Sequence, residues 1–132
     1  YQALAPTTTW RVSREEFLKF VTSNNDALAP LLDMTMEMYR LHGDRILNLE
    51  YRTVRERIIS FLLSTSERFG KKTSDGLLIE VPLRHQDIAS SINATRETTS
   101  RELSALERKG LLSTKQSYIL LKDLPALNKH LS

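Results

Sequence analysis

The stretch that decides the fold runs from Pro82 to Gly110: Pro-Leu-Arg-His-Gln-Asp-Ile-Ala-Ser-Ser-Ile-Asn-Ala-Thr-Arg-Glu-Thr-Thr-Ser-Arg-Glu-Leu-Ser-Ala-Leu-Glu-Arg-Lys-Gly. It reads as two short helices joined by a tight turn. Ile88, Ala89 and Ile92 mark the inner face of the first. Asn93 stands where the chain reverses, and asparagine tolerates left-handed backbone better than most residues. Thr95 is a good N-cap for the second helix and Gly110 a good terminator. In that helix Thr99, Leu103 and Leu106 recur at core spacing. Arg96, Glu97, Ser100, Arg101, Ser104 and Arg108 share the opposite side, since residues three and four apart are neighbours. A face offering Arg, Glu, Ser and Arg at a helix start has the chemistry to read base edges in a major groove. A merely solvated face is the alternative.

The flanks give this pair a setting. Leu77–Val81 reads as a strand stopped by Pro82, and Lys71–Gly76 before it as a polar loop ending in an Asp-Gly turn. Residues 51–69 read as a helix with inner positions Val54, Ile58, Ile59, Leu62 and Leu63, closed by Gly70 as its terminator. Downstream, Leu111–Ser113 and Tyr118–Leu121 read as strands of a hairpin turning at Lys115-Gln116-Ser117. Asp123 and Pro125 open a last short helix. Helix, strand, helix, helix, strand, strand is the order of a winged helix-turn-helix.

Upstream, Asn24 or Asn25 caps a long helical pattern reaching Leu49 or Glu50. Leu31, Met34, Met38 and Leu41 follow heptad spacing, and Leu32, Tyr39, Ile46 and Leu49 form a second seam beside them. Two adjacent seams suit a helix that packs on its own domain and on a partner helix. Burial on two sides within one chain is the alternative. Arg45 interrupts the first seam. Before this helix, Ala5, Pro6 and Thr7–Thr9 read as a turn between strands, Trp10–Val12 as a strand, and Ser13 with Glu16 as the capping box of a helix through Phe20. This piece cannot bury a core alone, and Tyr1 reads as an arbitrary starting point, inside a longer protein or of an expressed fragment.

Charge is unevenly placed along the 132 residues. Residues 1–81 hold 11 Lys/Arg against 11 Asp/Glu, whereas residues 82–132 hold 8 against 5, so the whole formal +3 lies in the C-terminal part. That favours a polyanionic partner there. The chain has no cysteine, which removes disulfides and thiolate-held metals or clusters. No apolar run nears the roughly 18 residues of a membrane span, and the first residues do not read as a signal peptide. A cytoplasmic location and no membrane partner are the expectation. His42, His85 and His130 lack ligand spacing, and neither Ser90-Ser91 with His85 nor Gly70-Lys71-Lys72 forms a catalytic or phosphate-loop motif. No catalytic residue and no metal site are expected, and the chain does not read as an enzyme.

Gln86-Asp87-Ile88-Ala89, Thr95-Arg96-Glu97-Thr98-Thr99-Ser100-Arg101 and Leu106-Glu107-Arg108-Lys109-Gly110-Leu111-Leu112 together resemble the signature of the CRP/FNR transcriptional regulators. Trp10–Phe20 is similar to the end of that family's β-roll effector domain, and Asn25–Leu49 to its dimerisation helix. The resemblance implies a mainly α fold with small β elements: a remnant of a cyclic-nucleotide-binding-like effector domain over residues 1–23, a dimerisation helix over 24–50, and a winged helix-turn-helix DNA-binding domain over 51–132. It implies a homodimer, packed through Leu31, Met34, Met38 and Leu41, on double-stranded DNA. Arg96, Glu97 and Arg101 would read a palindromic TGTGA-like site, while Gln86, Thr95, Thr98 and Lys115 would contact phosphates. The Gly70–Gly76 segment lies where the family's activators touch RNA polymerase. Two departures stand out. Arg84 replaces the usual Ser or Thr cap of the first helix. His42-Gly43 replace the Thr-Ser pair that the cyclic-AMP-binding branch presents to its nucleotide, which argues against cyclic AMP and leaves the effector unnamed. A haem- or redox-sensing member of the family, and a winged helix used only for protein contact, are the other readings.

Overall fold

A computed structural model describes Ala3 and residues 6–131, and the chain divides into two compact units, one of residues 6–48 and one dominated by residues 49–132. In the first, helix α1 spans Arg14–Ser23. Its capping box forms as expected: the Ser13 hydroxyl accepts the Glu16 N–H at 3.2 Å and donates to the Glu16 carboxylate at 2.7 Å. The Trp10–Val12 strand does not form, and Trp10 is 96% exposed. A strand needs a ladder partner for its N–H and C=O groups, and none of the described residues pairs with this triplet. Ala5 of the proposed preceding turn lies outside the described residues, and Pro6–Thr9 carry no regular structure.

The long helix also begins later than its asparagines suggest. Asn24 accepts the Asp26 N–H at 3.1 Å and caps a 3₁₀ turn over Asn25–Ala27. Helix α2 then runs over Leu28–Tyr51, with Pro30 in its first turn, where a missing N–H costs nothing. It passes through Gly43 unbroken, and open space surrounds that glycine. Arg40, bonded to Glu37 at 2.7 Å and Asp44 at 3.2 Å, defines the polar face. Met34, Met36, Met38, Tyr39 and Ile46 are exposed, and no residue of α2 is buried.

In the second unit helix α3 spans Val54–Phe69, three residues later than periodicity alone places it. Thr53 caps it: the Thr53 N–H donates to the Glu56 carboxylate at 2.7 Å and the Thr53 hydroxyl at 2.8 Å. These two bonds, the backbone one first, hold the Glu56 carboxyl below its ordinary 4.5. Thr53-x-x-Glu56 is a capping-box signature, and it breaks the helical run at Arg52-Thr53.

The expected polar loop after α3 is instead a strand, β1, over Gly70–Thr73, paired antiparallel with β2 over Gly76–Ile79. Lysines suit an exposed edge strand. Gly70 is not a left-handed terminator but extended, at φ −87°, and a Cβ there would overlap the Ser66 carbonyl. Helix α4 (His85–Ile92) and helix α5 (Arg96–Arg108) follow, then β3 (Leu112–Lys115), β4 (Tyr118–Leu121) and helix α6 (Leu124–Lys129). The four strands form one antiparallel sheet in the order β1-β2-β4-β3. Ile58, Ile59 and Leu62 of α3 meet Ile88 and Ile92 of α4, Leu103 and Leu106 of α5, and Ile79, Ile119 and Leu121 of the sheet in a single core. The reading of a mainly α chain with a long helix followed by a winged helix-turn-helix is what the structure shows.

Candidate nucleic-acid interface

The interface is built on how α4 and α5 are launched. Arg84 caps nothing with its side chain. Instead Asp87, three residues on, accepts the Arg84 N–H at 3.0 Å, so the cap that Arg84 cannot make is supplied from inside α4. Asn93 then adopts the left-handed conformation (φ 53°, ψ 57°), and the Ala94 N–H returns to the Ala89 carbonyl at 3.0 Å. Thr95 starts α5 by accepting the Thr98 N–H at 3.1 Å, and its hydroxyl donates to that of Thr98 at 3.0 Å. Gly110, at φ 71°, lets the chain leave α5 for the sheet.

Thr99, Leu103 and Leu106 are buried, which turns the opposite side of α5 outward. Arg96, Glu97, Arg101 and Arg108 are exposed, whereas Ser100 and Ser104 are half-buried. Among the described residues no ion pair involves Arg96, Glu97 or Arg101. Their hydrogen-bonding capacity therefore faces solvent. From Arg96 to Arg101 the helix rises roughly 7.5 Å, about two base-pair steps.

The other sequence candidates lie on different elements. Gln86 is exposed on α4, where its amide donates to the Ser90 hydroxyl at 3.3 Å. Lys115 is the exposed last residue of β3, opposite Tyr118. The wing turns at Gln116 and Ser117, with φ 49° and 69°, the two-residue geometry that matches strand twist. Leu31 is half-buried, and Met34, Met38 and Leu41 are between 36% and 57% exposed, on α2 of the other unit.

Four residues that brace this surface escaped the sequence reading. The Arg55 Nε donates to the Glu102 carboxylate at 2.7 Å, tying α3 to α5. The Glu107 carboxylate accepts the Thr114 N–H at 2.8 Å, tying the end of α5 to the wing. Arg57 donates to the Ile92 carbonyl at 3.1 Å, at the turn between α4 and α5. Their partners are between 7 and 47 residues away, so no local pattern announces them. No described helix is long and apolar enough to cross a membrane.

Comparison with known proteins agrees with this geometry. The Crp-like helix-turn-helix domain family matches residues 56–130. The global nitrogen regulator of Nostoc sp. is 33% identical over 104 residues, which cover 74% of this chain and 47% of that protein. Among solved structures, a mutant of CooA from Carboxydothermus hydrogenoformans superposes with a TM-score of 0.82 at 26% identity, covering 89% of this chain and 55% of that one. FixK2 from Bradyrhizobium japonicum gives 0.80 at 27% identity, covering 92% and 60%. The chain thus spans about half the length of the relatives it matches. With the Crp-like helix-turn-helix domain matched over more than half of its length, the chain belongs to the CRP/FNR family of transcription regulators.

Proposed function

We propose that this chain is the DNA-reading half of a homodimeric, sequence-specific transcription regulator that binds a palindromic TGTGA-like site. The observation that carries this reading is the exposed Arg96–Glu97–Arg101 face, without ion pairs among the described residues, on a capped and braced helix. Arginine forks onto guanine O6 and N7, and a carboxylate accepts from cytosine N4. Gln86, Thr95, Thr98 and Lys115 would hold the phosphates and so set register and affinity rather than sequence choice. Residues 51–132 would be the DNA-binding domain, residues 24–50 the dimerisation helix, and residues 1–23 the end of an effector domain. The seam of half-buried Leu31 with exposed Met34, Met38 and Leu41 would pair the two copies, bringing their reading helices into successive major grooves about 34 Å apart.

An upstream effector domain would act by changing how the two α2 helices pack. The reading half carries no signature of the cue: one relative is called a global nitrogen regulator and a structural neighbour a CO-dependent transcription factor. Gly43 has no side chain and His42 bonds the Met38 carbonyl at 2.8 Å, so neither supplies a hydroxyl to cyclic AMP. The Gly70–Gly76 segment would be the contact with RNA polymerase. Fluorescence anisotropy tests the reading: salt-dependent binding to a TGTGA palindrome over a scrambled duplex, lost in Arg96→Ala and Arg101→Ala, is expected. Equal affinity for both duplexes would leave a winged helix used for protein contact.

A further inference from the structure

Arg57 stands in the first turns of α3, yet its guanidinium makes bonds in two directions. Its Nε donates to the Arg52 carbonyl at 2.9 Å, in the two-residue break where α2 passes into α3. Its Nη1 donates to the Ile92 carbonyl at 3.1 Å and the Asn93 carbonyl at 3.4 Å, in the turn from which α5 starts. Both places are helix ends. Carbonyls there have no acceptor role left within the helix, and a cation suits them. A cap for α4 alone would need only the second set of bonds. The planar fork of arginine lets one rigid group hold both ends at once, which a lysine ammonium on its flexible stem does not.

We propose that Arg57 is a positioning residue that couples the α2–α3 break to the turn of the helix-turn-helix, so that a rearrangement at residues 52–53 is passed to α5. The consequence for DNA rests on the reading of α5 proposed above, but the coupling itself is measurable without DNA. The break has a convenient perturbation, because Thr53→Ala removes the capping box that fixes the start of α3. The Arg55–Glu102 pair is a natural control: it ties α3 to α5 but touches neither residue 52 nor residues 92–93.

The test is amide hydrogen exchange in the full-length protein. Thr53→Ala is expected to speed exchange at residues 93–96 as well as at 52–56. In an Arg57→Gln background it should speed exchange only at 52–56, a non-additivity of about fivefold or more at the turn. Arg57→Lys keeps the charge without the fork and is expected to behave like Arg57→Gln, while Arg55→Gln should leave the transmission intact. An unchanged effect of Thr53→Ala at residues 93–96 in Arg57→Gln would overturn the proposal. So would rescue by Arg57→Lys, which would mark a local charge role, and so would loss of protection at Ile59 and Leu106 in Arg57→Lys, which would make the residue a determinant of the fold. If the coupling is found but Arg101→Ala leaves the preference for the palindrome over a scrambled duplex unchanged, the coupling stands and the assignment of α5 as base reader fails.

Discussion

Thr99 sits in the first turn of the proposed reading helix, fully buried, and among the described residues its hydroxyl has no hydrogen-bond partner. Neighbouring hydroxyls on helices do better. Ser90 donates to the Gln86 carbonyl at 2.9 Å, Ser91 to the Asp87 carbonyl at 2.8 Å and Thr65 to the Phe61 carbonyl at 2.7 Å. A buried hydroxyl left unpaired costs about 1–3 kcal/mol. Valine has the same branched shape with a methyl in place of the hydroxyl, and its helix propensity is close to that of threonine. The site is fully buried, so an added methyl meets little slack and part of the gain is lost to crowding. Thr99→Val is therefore expected to stabilise the fold by about 1 kcal/mol, or about 4–8 °C in Tm for a domain of this size. Urea unfolding of parent and variant at one protein concentration measures it, concentration being fixed because self-association would shift both curves. DNA affinity should stay within about twofold, since the side chain faces the core. A loss of about 1 kcal/mol or more would mean that the hydroxyl is bonded after all, and the packing described for α5 would be wrong.

Three further outcomes follow from the same geometry. Lys115→Ala should weaken binding to every duplex alike and lower the salt slope by about one unit, read from anisotropy titrations across a salt series. Glu56 titrates low because Thr53 bonds its charged form. Its contribution to stability is therefore complete above the ordinary carboxylate range and lost as pH falls through the depressed folded value. Unfolding of Glu56→Gln should lack that acid-side dependence and converge on the parent at the lowest pH, and identical pH profiles would refute the capping role. Met38→Lys places a charge in the proposed seam of α2, and sedimentation should show the dimer weakened about tenfold or more while the helix-turn-helix unit keeps its stability. A mass distribution unchanged by the substitution would move the interface elsewhere.

What could be read from the sequence was whatever local chemistry fixes. Asn93, Thr95 and Gly110 act within a few residues of themselves, and the structure forms all three features as expected. The α5 faces followed from periodicity, because Thr99, Leu103 and Leu106 repeat at helical spacing whatever they pack against. Strand β1 was not legible, since Lys71-Lys72-Thr73 has the composition of a loop and becomes a strand only because β2 offers an edge. The wing turn was misplaced by little, yet its left-handed Gln116 and Ser117 are held by sheet register rather than by glycine. The Arg52-Thr53 break was legible in principle, as Thr53-x-x-Glu56, yet helical periodicity alone set the boundary at residues 50–51, a few residues early. The braces Arg55–Glu102, Arg57–Ile92 and Glu107–Thr114 exist only once the chain has folded, and no spacing rule finds them.

The central claim is that the outward face of α5 reads bases. It is tested most directly by the ratio of affinities for a TGTGA palindrome and a scrambled duplex, measured at one salt concentration for the full-length protein and for Arg101→Ala. Loss of a bidentate guanine contact is worth about 1–3 kcal/mol per half-site, so the ratio should fall by tenfold or more while affinity for the scrambled duplex falls far less. An unchanged ratio, with both affinities falling together, would make Arg101 a phosphate contact and contradict the claim.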